Sequence, residues 1–344
     1  MQRRMTTAGP LHDDRGRLTE AGYATELIKT YDRRRVHAPA WRIKEWDYYC
    51  VTSDRYALAL TIADNGYLYM DSVSLLDFDA NSQATQSFLR PPLGRRALPA
   101  SSRQGDVRAA GKGYEIAFEN DGARRRLVGH IDAFPNGRGR PLLFDVTLTD
   151  PPADSMVIAT PFPNKPTAFY YNQKINCLRA QGKAVLGDQE YLFAPAHSFA
   201  VLDWGRGVWT YDNTWYWGSA SGLAGDTPFG FNVGYGFGDT SAATENMIFY
   251  AGKAHKLSQV TFEIPMKNGT EDYLSPWRFF SDDGRFEMTF TPLMDRSAAI
   301  DLKLLCSIQH QVFGRFTGSA VLDDGQTIRV QNLTGFAEKV RNRW

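Results

Sequence analysis

Alternation of apolar and polar residues, the pattern of a half-buried β-strand, dominates this chain. It covers residues 56–63, 114–119 and 142–149. Asp64-Asn65-Gly66 and Asn120-Asp121-Gly122 follow the first two segments and match the short turns that join antiparallel strands. The pattern therefore predicts a largely antiparallel β protein.

The N-terminal residues depart from this alternation. Over residues 18–31 the apolar side chains recur at helical spacing, and Thr19 is in position to cap the first turn. The spacing predicts a single N-terminal helix. Residues 1–16 are polar, and we expect them to be poorly ordered.

The arrangement of these elements indicates a fold class. Short strands, tight turns and scarce helix favour an antiparallel β-barrel or sandwich architecture, with the one N-terminal helix. The Pro-rich segment 151–166 separates two strand-rich halves. The predicted organisation is a polar tail over residues 1–17, the helix and a first barrel-like domain over 18–165, and a second barrel-like domain over 166–344. A barrel of about eight strands can enclose one small ligand.

Composition limits the partners. The 344 residues carry a net charge of +1, which provides no strong field for nucleic acid. The first twenty residues lack the apolar core of a secretion signal, and no apolar run approaches the ~18 residues of a membrane span. Cys50, Cys177 and Cys306 are far apart and predict buried free thiols in a reducing compartment. We expect a cytoplasmic protein with no nucleic-acid partner and no transmembrane segment, and transient membrane contact stays open.

Familiar nucleophile and cofactor motifs are incomplete. Gly218-Ser219-Ala220-Ser221-Gly222 has alanine where a nucleophile elbow has serine. Gly234-Tyr235-Gly236-Phe237-Gly238 lacks the final glycine of a dinucleotide fingerprint. The six histidines never occur at the spacing of a metal-binding pair. We therefore expect no metal and no cofactor.

Residues 201–222 are the most informative segment, because they hold four of the eight tryptophans. Asp203 and Asp212 lie among these rings. A carboxyl group beside aromatic rings loses hydration, which raises its pKa and allows it to donate a proton near neutral pH. Alternatively Arg206 holds Asp203 ionised, or the rings fill a barrel while the aspartates accept hydrogen bonds from turns.

Two further segments place polar groups among apolar residues. Asn172, Lys174 and Asn176 share one face of a predicted strand, which either lines a cavity or is solvated. Glycine-rich residues 230–239 permit curvature or the close approach of a ligand, and Glu245 follows them. The candidate catalytic residues are Asp203, Asp212, Glu245 and His255. The candidate ligand-binding residues are Tyr171, Asn172, Lys174, Trp204, Arg206, Trp209, Trp215, Trp217, Asn232 and Asn246.

These motifs resemble a known family. Residues 169–174, 202–207, 215–222, 244–246 and 252–257 are similar to those of the mainly bacterial family called domain of unknown function 2804. The resemblance extends from about residue 18 to the end. It implies membership of the family and leaves the activity open.

A more remote resemblance concerns the layout. It is similar to the double-lipocalin group that includes carotenoid 1,2-hydratase, tocopherol cyclase-like proteins and some Diels–Alderases. The resemblance implies a mainly β fold of two lipocalin-like antiparallel β-barrels or curved sandwiches packed together, with one N-terminal helix. In the hydratases a strand rich in tryptophan and aspartate follows the midpoint, and an acidic residue is thought to protonate an isoprenoid double bond. Residues 209–215 resemble that strand, but Thr214 stands where the hydratases have an acidic residue.

The leading hypothesis is binding of a hydrophobic small molecule, an isoprenoid or other lipid, with acid-catalysed hydration, cyclisation or isomerisation. In it Asp203 or Asp212 protonates an alkene, the tryptophans stabilise the cation, and Glu245 or His255 directs water or accepts a proton. A non-catalytic lipid carrier or sensor is the alternative. A carbohydrate-binding or carbohydrate-active protein with paired carboxylates is the third candidate.

Overall fold

The computed structural model describes residues 2–93, 96, 98–301 and 306–343. Two curled antiparallel sheets, of 13 and 9 strands, pack together and form almost all of the described structure. The predicted mainly-β fold is confirmed.

The chain enters the fold through short elements. These are β1 (Gly9–Pro10), β2 (Gly22–Ala24), β3 (Lys29–Thr30) and the 3-10 helices Arg33–Arg35 and Ala40–Arg42. The strands up to the first long one are β4 (Ile43–Thr52), β5 (Tyr56–Asp64), β6 (Tyr69–Asp77), β7 (Ser82–Arg90), β8 (Val107–Gly111), β9 (Tyr114–Asn120), β10 (Arg125–Ile131), β11 (Leu142–Thr149) and β12 (Met156–Phe162).

The remaining strands include the longest ones. They are β13 (Lys165–Leu186), β14 (Gln189–Phe193), β15 (Phe199–Val208), β16 (Asp212–Ala224), β17 (Thr227–Tyr235), β18 (Met247–Tyr250), β19 (Lys253–Lys256), β20 (Val260–Glu263), β21 (Met266–Lys267), β22 (Thr270–Glu271), β23 (Trp277–Ser281), β24 (Phe286–Asp301), β25 (Cys306–Val321) and β26 (Thr327–Arg343).

Strand order divides the chain between the two sheets. The first sheet runs β7-β6-β5-β4-β15-β13-β11-β10-β9-β8, with β12 and β14 also paired to β13. The second runs β19-β18-β17-β16-β26-β25-β24-β23-β20. The chain passes from the first sheet to the second between β15 and β16. The domain boundary at residues 165 and 166 stays a prediction, and the Pro-rich segment before it contains strand β12.

The alternating segments form strands as predicted. Residues 56–63 lie in β5, 114–119 in β9 and 142–149 in β11. In the predicted turn after β5, the backbone N–H of Gly66 donates to Asp64 Oδ1 at 2.7 Å. Local pattern and turn chemistry agree here, which is why the sequence locates these strands well.

The predicted N-terminal helix over residues 18–31 is wrong. Strand β2 lies here instead and pairs with β12 of the first sheet. Gly22 has φ +154°, and a Cβ at this position would lie 2.5 Å from the carbonyl oxygen of Arg3. The apolar residues that suggested a helical face are used by an extended segment, with Ala24 and Tyr31 buried in the first core. Met5 and Leu11, within the predicted tail, are buried as well.

The two sheets meet along a contact that we call the seam. Its apolar part joins Tyr48, Cys50 and Val201 of the first sheet to Trp217 and Phe336 of the second. Paired residues on neighbouring strands face the same side, and successive residues of one strand face opposite sides. The three cysteines are free and buried, as predicted. In the described part of the chain, no helix is long and apolar enough to cross a membrane.

Candidate functional site

Four ionisable side chains from the two sheets meet in the seam. They are Lys174 of β13, Asp203 of β15, Glu245 just before β18, and Glu338 of β26, and we call them the seam cluster. Lys174, Asp203 and Glu338 are buried, and 12% of the Glu245 side chain is exposed. Burial costs several kcal/mol for each charge that is left without a partner, so such a group requires an explanation.

Lys174 is the charged centre of the cluster. Its Nζ donates to Glu245 Oε2 at 2.7 Å and to Tyr170 Oη at 3.2 Å. The same ammonium lies 4.6 Å from the centre of the Trp217 ring. Burial by itself lowers the pKa of Lys174, but Glu245, Tyr170 and Asp203 outweigh it and raise the pKa above its ordinary value. Lys174 is therefore a fixed positive charge.

Asp203 is held by neutral donors. Asn172 Nδ2 donates to its Oδ1 at 2.5 Å, and Trp46 Nε1 donates to its Oδ2 at 3.2 Å. Burial raises the pKa of this carboxyl group, while Lys174 and the two hydrogen bonds oppose the rise. Trp46 reaches this position because Gly205 lies opposite it on β15. A Cβ on Gly205 would come within 2.0 Å of the indole.

Glu338 is the functional candidate that the sequence analysis missed. Trp215 Nε1 donates to its Oε1 and Gln311 Nε2 to its Oε2, each at 2.9 Å. Burial raises the pKa of Glu338 from 4.5 to about 7, against the effects of Trp215, Arg296 and Gln311. A signal for it exists in the sequence. On β26 the alternate residues Phe336, Glu338 and Val340 share a face, so an acidic residue stands between two apolar ones.

An aromatic cluster covers these carboxyl groups. Its members are Trp46, Tyr170, Trp209, Trp215 and Phe237. The ring of Trp209 lies 5.3 Å from that of Trp46 and 6.0 Å from that of Trp215. Phe237 lies 5.0 Å from Trp209 and 4.9 Å from Tyr170. Trp46 and Trp215 are half-buried, so the cluster reaches the protein surface.

Glycines near the cluster allow the close approach of side chains. A Cβ on Gly207 would lie 2.7 Å from Trp209 Nε1, and one on Gly234 would lie 2.6 Å from Glu245 Oε1. Of the two roles predicted for residues 230–239, close approach applies at Gly234. Here the group that approaches is the carboxylate of Glu245.

Most of the predicted residues lie in the seam. The structure brings together Asn172, Lys174, Asp203, Trp209, Trp215, Trp217, Asn232 and Glu245. Asn232 links two of them, because Trp217 Nε1 donates to its Oδ1 at 2.6 Å and its Nδ2 donates to Glu245 Oε2 at 3.2 Å. The face of Asn172, Lys174 and Asn176 is buried, which excludes the solvated face that the sequence left open.

Other predicted residues lie on the opposite face of the first sheet. Trp204 and Arg206 face its core, because they alternate with Asp203 along β15. Arg206 forms its ion pair with Asp47 at 3.0 Å, and the suggestion that it holds Asp203 is wrong. Tyr171 donates from its hydroxyl to the carbonyl oxygen of Lys29 at 2.8 Å.

The remaining three predicted residues lie outside the seam. Asn246 supports the backbone, accepting from the N–H of Gly234 at 2.7 Å. Asp212, with 44% of its side chain exposed, forms an ion pair with Arg341 at 3.2 Å. His255 Nδ1 lies 3.4 Å from Asp323 Oδ2.

The space at the seam is small. A cavity of about 10 Å³ lies there, lined in part by Cys50, Val201, Ser219 and Phe336, and has room for about one water molecule. A hollow of about 480 Å³ lies elsewhere, on the outside of β9–β11. Across the described ranges, no three His, Cys, Asp or Glu side chains are grouped to hold a metal ion.

Comparisons with known proteins agree with the fold. Residues 2–344 match the family model described as Domain of unknown function (DUF2804), which confirms the resemblance seen in the motifs. No curated protein gives a significant sequence match.

Several solved structures are similar to this chain. A putative AttH from Nitrosomonas europaea is 17% identical, with a TM-score of 0.55 over 90% of this chain and 97% of that one. CghA, crystallised with Sch210972, is 8% identical, with a TM-score of 0.53 over 97% of both chains. Kievitone hydratase from Nectria haematococca is 10% identical, with a TM-score of 0.49 over 93% of this chain and 97% of that one. At these identities the first two likenesses show a shared fold.

Proposed function

This chain belongs to the DUF2804 family, and we propose that it binds a hydrophobic small molecule, an isoprenoid or other lipid, against the aromatic cluster of the seam. One observation carries the proposal. The two tryptophans that flank Trp209 are also the ones that hold the buried carboxyl groups of Asp203 and Glu338. Apolar binding surface and acid–base groups are thus parts of one structure, as expected of a small-molecule site.

The reaction proposed for this site is acid-catalysed hydration, cyclisation or isomerisation of an alkene. A buried carboxyl group of the seam, Asp203 or Glu338, donates a proton to the double bond. The ring faces of Trp209, Trp215 and Trp217 stabilise the cation that forms. Glu245, fixed by Lys174, adds a negative charge nearby. CghA, which shares this fold, has been crystallised with a small molecule, which supports a binding role.

Binding is tested by titrating the protein with farnesol and following tryptophan fluorescence. We expect Trp209→Ala to weaken binding at least tenfold, because the ring lies between Trp46 and Trp215. A tenfold change corresponds to about 1.4 kcal/mol. Trp41→Ala, which removes an exposed ring, is the control. Equal affinity of all three proteins would contradict binding at the seam.

Catalysis is tested separately on the molecule extracted from the purified protein and on farnesol. We expect Asp203→Asn to slow conversion by about 10²–10⁴-fold, the usual contribution of a positioned acid or base. Asp145→Asn, at an exposed ion pair, is the control. If the wild-type protein returns its ligand unchanged, the protein is a carrier rather than an enzyme.

A further inference from the structure

Two of the three carboxyl groups in the seam cluster accept a hydrogen bond from an indole N–H. Asp203 comes from the first sheet and accepts from Trp46, while Glu338 comes from the second sheet and accepts from Trp215. Both indoles pack on Trp209. A ligand at Trp209 would therefore have one carboxyl group approaching from each sheet.

We propose that Glu338 and Asp203 act as a proton donor and a proton acceptor, so that the reaction is a double-bond shift or a proton-neutral cyclisation of a hydrophobic alkene. This inference rests on the proposed function and narrows it. Alkene isomerisation needs a group that gives a proton at one carbon and a second group that removes one at another carbon. The two carboxyl groups supply both.

The surroundings of the two groups decide which one donates. Glu338 accepts from an indole and an amide, and Oε1 of the same Gln311 accepts from Arg296 Nη2 at 2.6 Å. Tyr48 Oη lies 3.3 Å from the same Gln311 oxygen. Burial outweighs these hydrogen bonds and the opposing charge of Arg296, and it raises the pKa of Glu338, which favours the protonated form.

Asp203 lies in the seam cluster beside the positively charged ammonium group of Lys174. The Lys174 ammonium counteracts the effect of burial on the pKa of Asp203, whereas Glu245 adds to it. Asp203 in turn raises the pKa of Glu338. When the pair holds a single proton, that proton therefore belongs on Glu338, and Asp203 is the carboxylate.

The step balances without another reactant. The π electrons of the alkene take the proton of Glu338, forming a C–H bond and a cation on the neighbouring carbon. Asp203 removes a proton from the carbon next to the cation, and the electrons of that C–H bond form the new double bond. The substrate is neither oxidised nor reduced. Exchange with water after product release returns the proton to Glu338.

Infrared titration of the full-length protein tests the pair without a ligand. We expect a band from a protonated buried carboxyl group that titrates with a midpoint near 7 and is absent from Glu338→Gln. Asp203→Asn should move the midpoint to lower pH, because it removes a neighbouring negative charge. Trp215→Phe should move it to higher pH, because it removes a hydrogen bond to the carboxylate. Glu263→Gln, at an exposed position, should leave the midpoint unchanged.

Two results of the titration would contradict the proposal that Glu338 and Asp203 are a proton donor and acceptor. One is a band with a midpoint near 7 that persists in Glu338→Gln. The other is a midpoint that Asp203→Asn leaves in place, since the two groups would then be uncoupled. Trp215→Phe keeps an aromatic ring and both carboxyl groups. Its shift of the midpoint can therefore still be measured if one of the carboxyl variants fails to fold.

Farnesol in D₂O separates this inference from the proposed function. We expect bound farnesol to be recovered as an isomer or a ring-closed product that carries deuterium and no added water. Two outcomes would contradict the donor–acceptor pair and leave the binding function in place. One is a product with added water, and the other is farnesol recovered without deuterium from a protein that binds it. Failure of farnesol and of any extracted lipid to bind would contradict the proposed function itself.

Discussion

Buried charges occupy two regions of this protein, and the two regions neutralise them differently. In the core of the first sheet the carboxylates have arginine partners: Asp47 with Arg206 at 3.0 Å, and Asp71 with Arg96. In the seam Asp203 and Glu338 accept from amide and indole groups, which carry no charge. Buried ion pairs keep both groups charged, whereas burial among neutral donors raises the pKa of a carboxyl group.

Arg206 shows what the first region does. Its Nη1 donates to Asp47 and to the carbonyl oxygens of Trp46 and Gly205, and its Nη2 donates to the carbonyl oxygen of Pro99. The guanidinium thus ties β4, β15 and the segment after β7 together. Strands β4 and β15 carry Trp46 and Asp203 on the opposite face of the sheet. The ion pair therefore helps to fix the strands that position these two seam residues.

The largest expected effect comes from breaking the core ion pair. Arg206→Met leaves the carboxylate of Asp47 buried without its partner, which should cost about 3–5 kcal/mol of unfolding free energy. Urea denaturation measures the loss. Arg126→Met, at an exposed ion pair, is the control and should cost far less. A small loss for Arg206→Met would show that the core pair is not structural.

Glu338→Gln should alter the pH dependence of stability. The pKa of Glu338 is raised to about 7 in the folded protein, so between about pH 5 and 7 the folded state binds more protons than the unfolded state. Stability from this group is therefore present at low pH and falls as the pH rises through 7. The wild-type protein should lose about 2 kcal/mol relative to Glu338→Gln between pH 5 and pH 8.

Urea denaturation at the two pH values measures that difference. Glu263→Gln should run parallel to the wild type, because its side chain is exposed. Parallel curves for wild type and Glu338→Gln would mean that Glu338 titrates normally and that the seam is no different from the surface.

Trp46→Phe should have the smallest effect. It keeps an aromatic ring but removes the indole N–H that donates to Asp203 at 3.2 Å. The loss of one hydrogen bond should cost about 1 kcal/mol. Thermal unfolding measures it, with Trp41→Phe, at an exposed ring, as the control. A cost equal to that of Arg206→Met would indicate that the seam is held as rigidly as the core.

The sequence predicts the positions of the strands better than the structure of the N-terminal segment. Alternation and Asx-Gly turns locate β5, β9 and β11, because those signals are local. The helix predicted over residues 18–31 is wrong because the spacing of its apolar residues fits a helix as well as the extended segment observed. Only the pairing of β2 with β12, which is distant in sequence, distinguishes the two structures.

The sequence predicts only part of the site, because contacts between residues distant in sequence leave no local signal. Asp203 and Asp212 share an aromatic neighbourhood in sequence, but Asp203 lies inside β15 and Asp212 begins β16, where its side chain is exposed. Glu338 stands more than 100 residues from Trp215, and only the pairing of β16 with β26 brings them together.

Mass spectrometry of an organic extract tests the central claim most directly. The wild-type protein, Trp215→Ala and the control Trp41→Ala are purified without detergent and extracted in parallel. We expect an isoprenoid or other lipid in near-stoichiometric amount from the wild type and from Trp41→Ala, and little or none from Trp215→Ala. Equal amounts from all three proteins, or no lipid from any, would contradict a hydrophobic binding site at the seam.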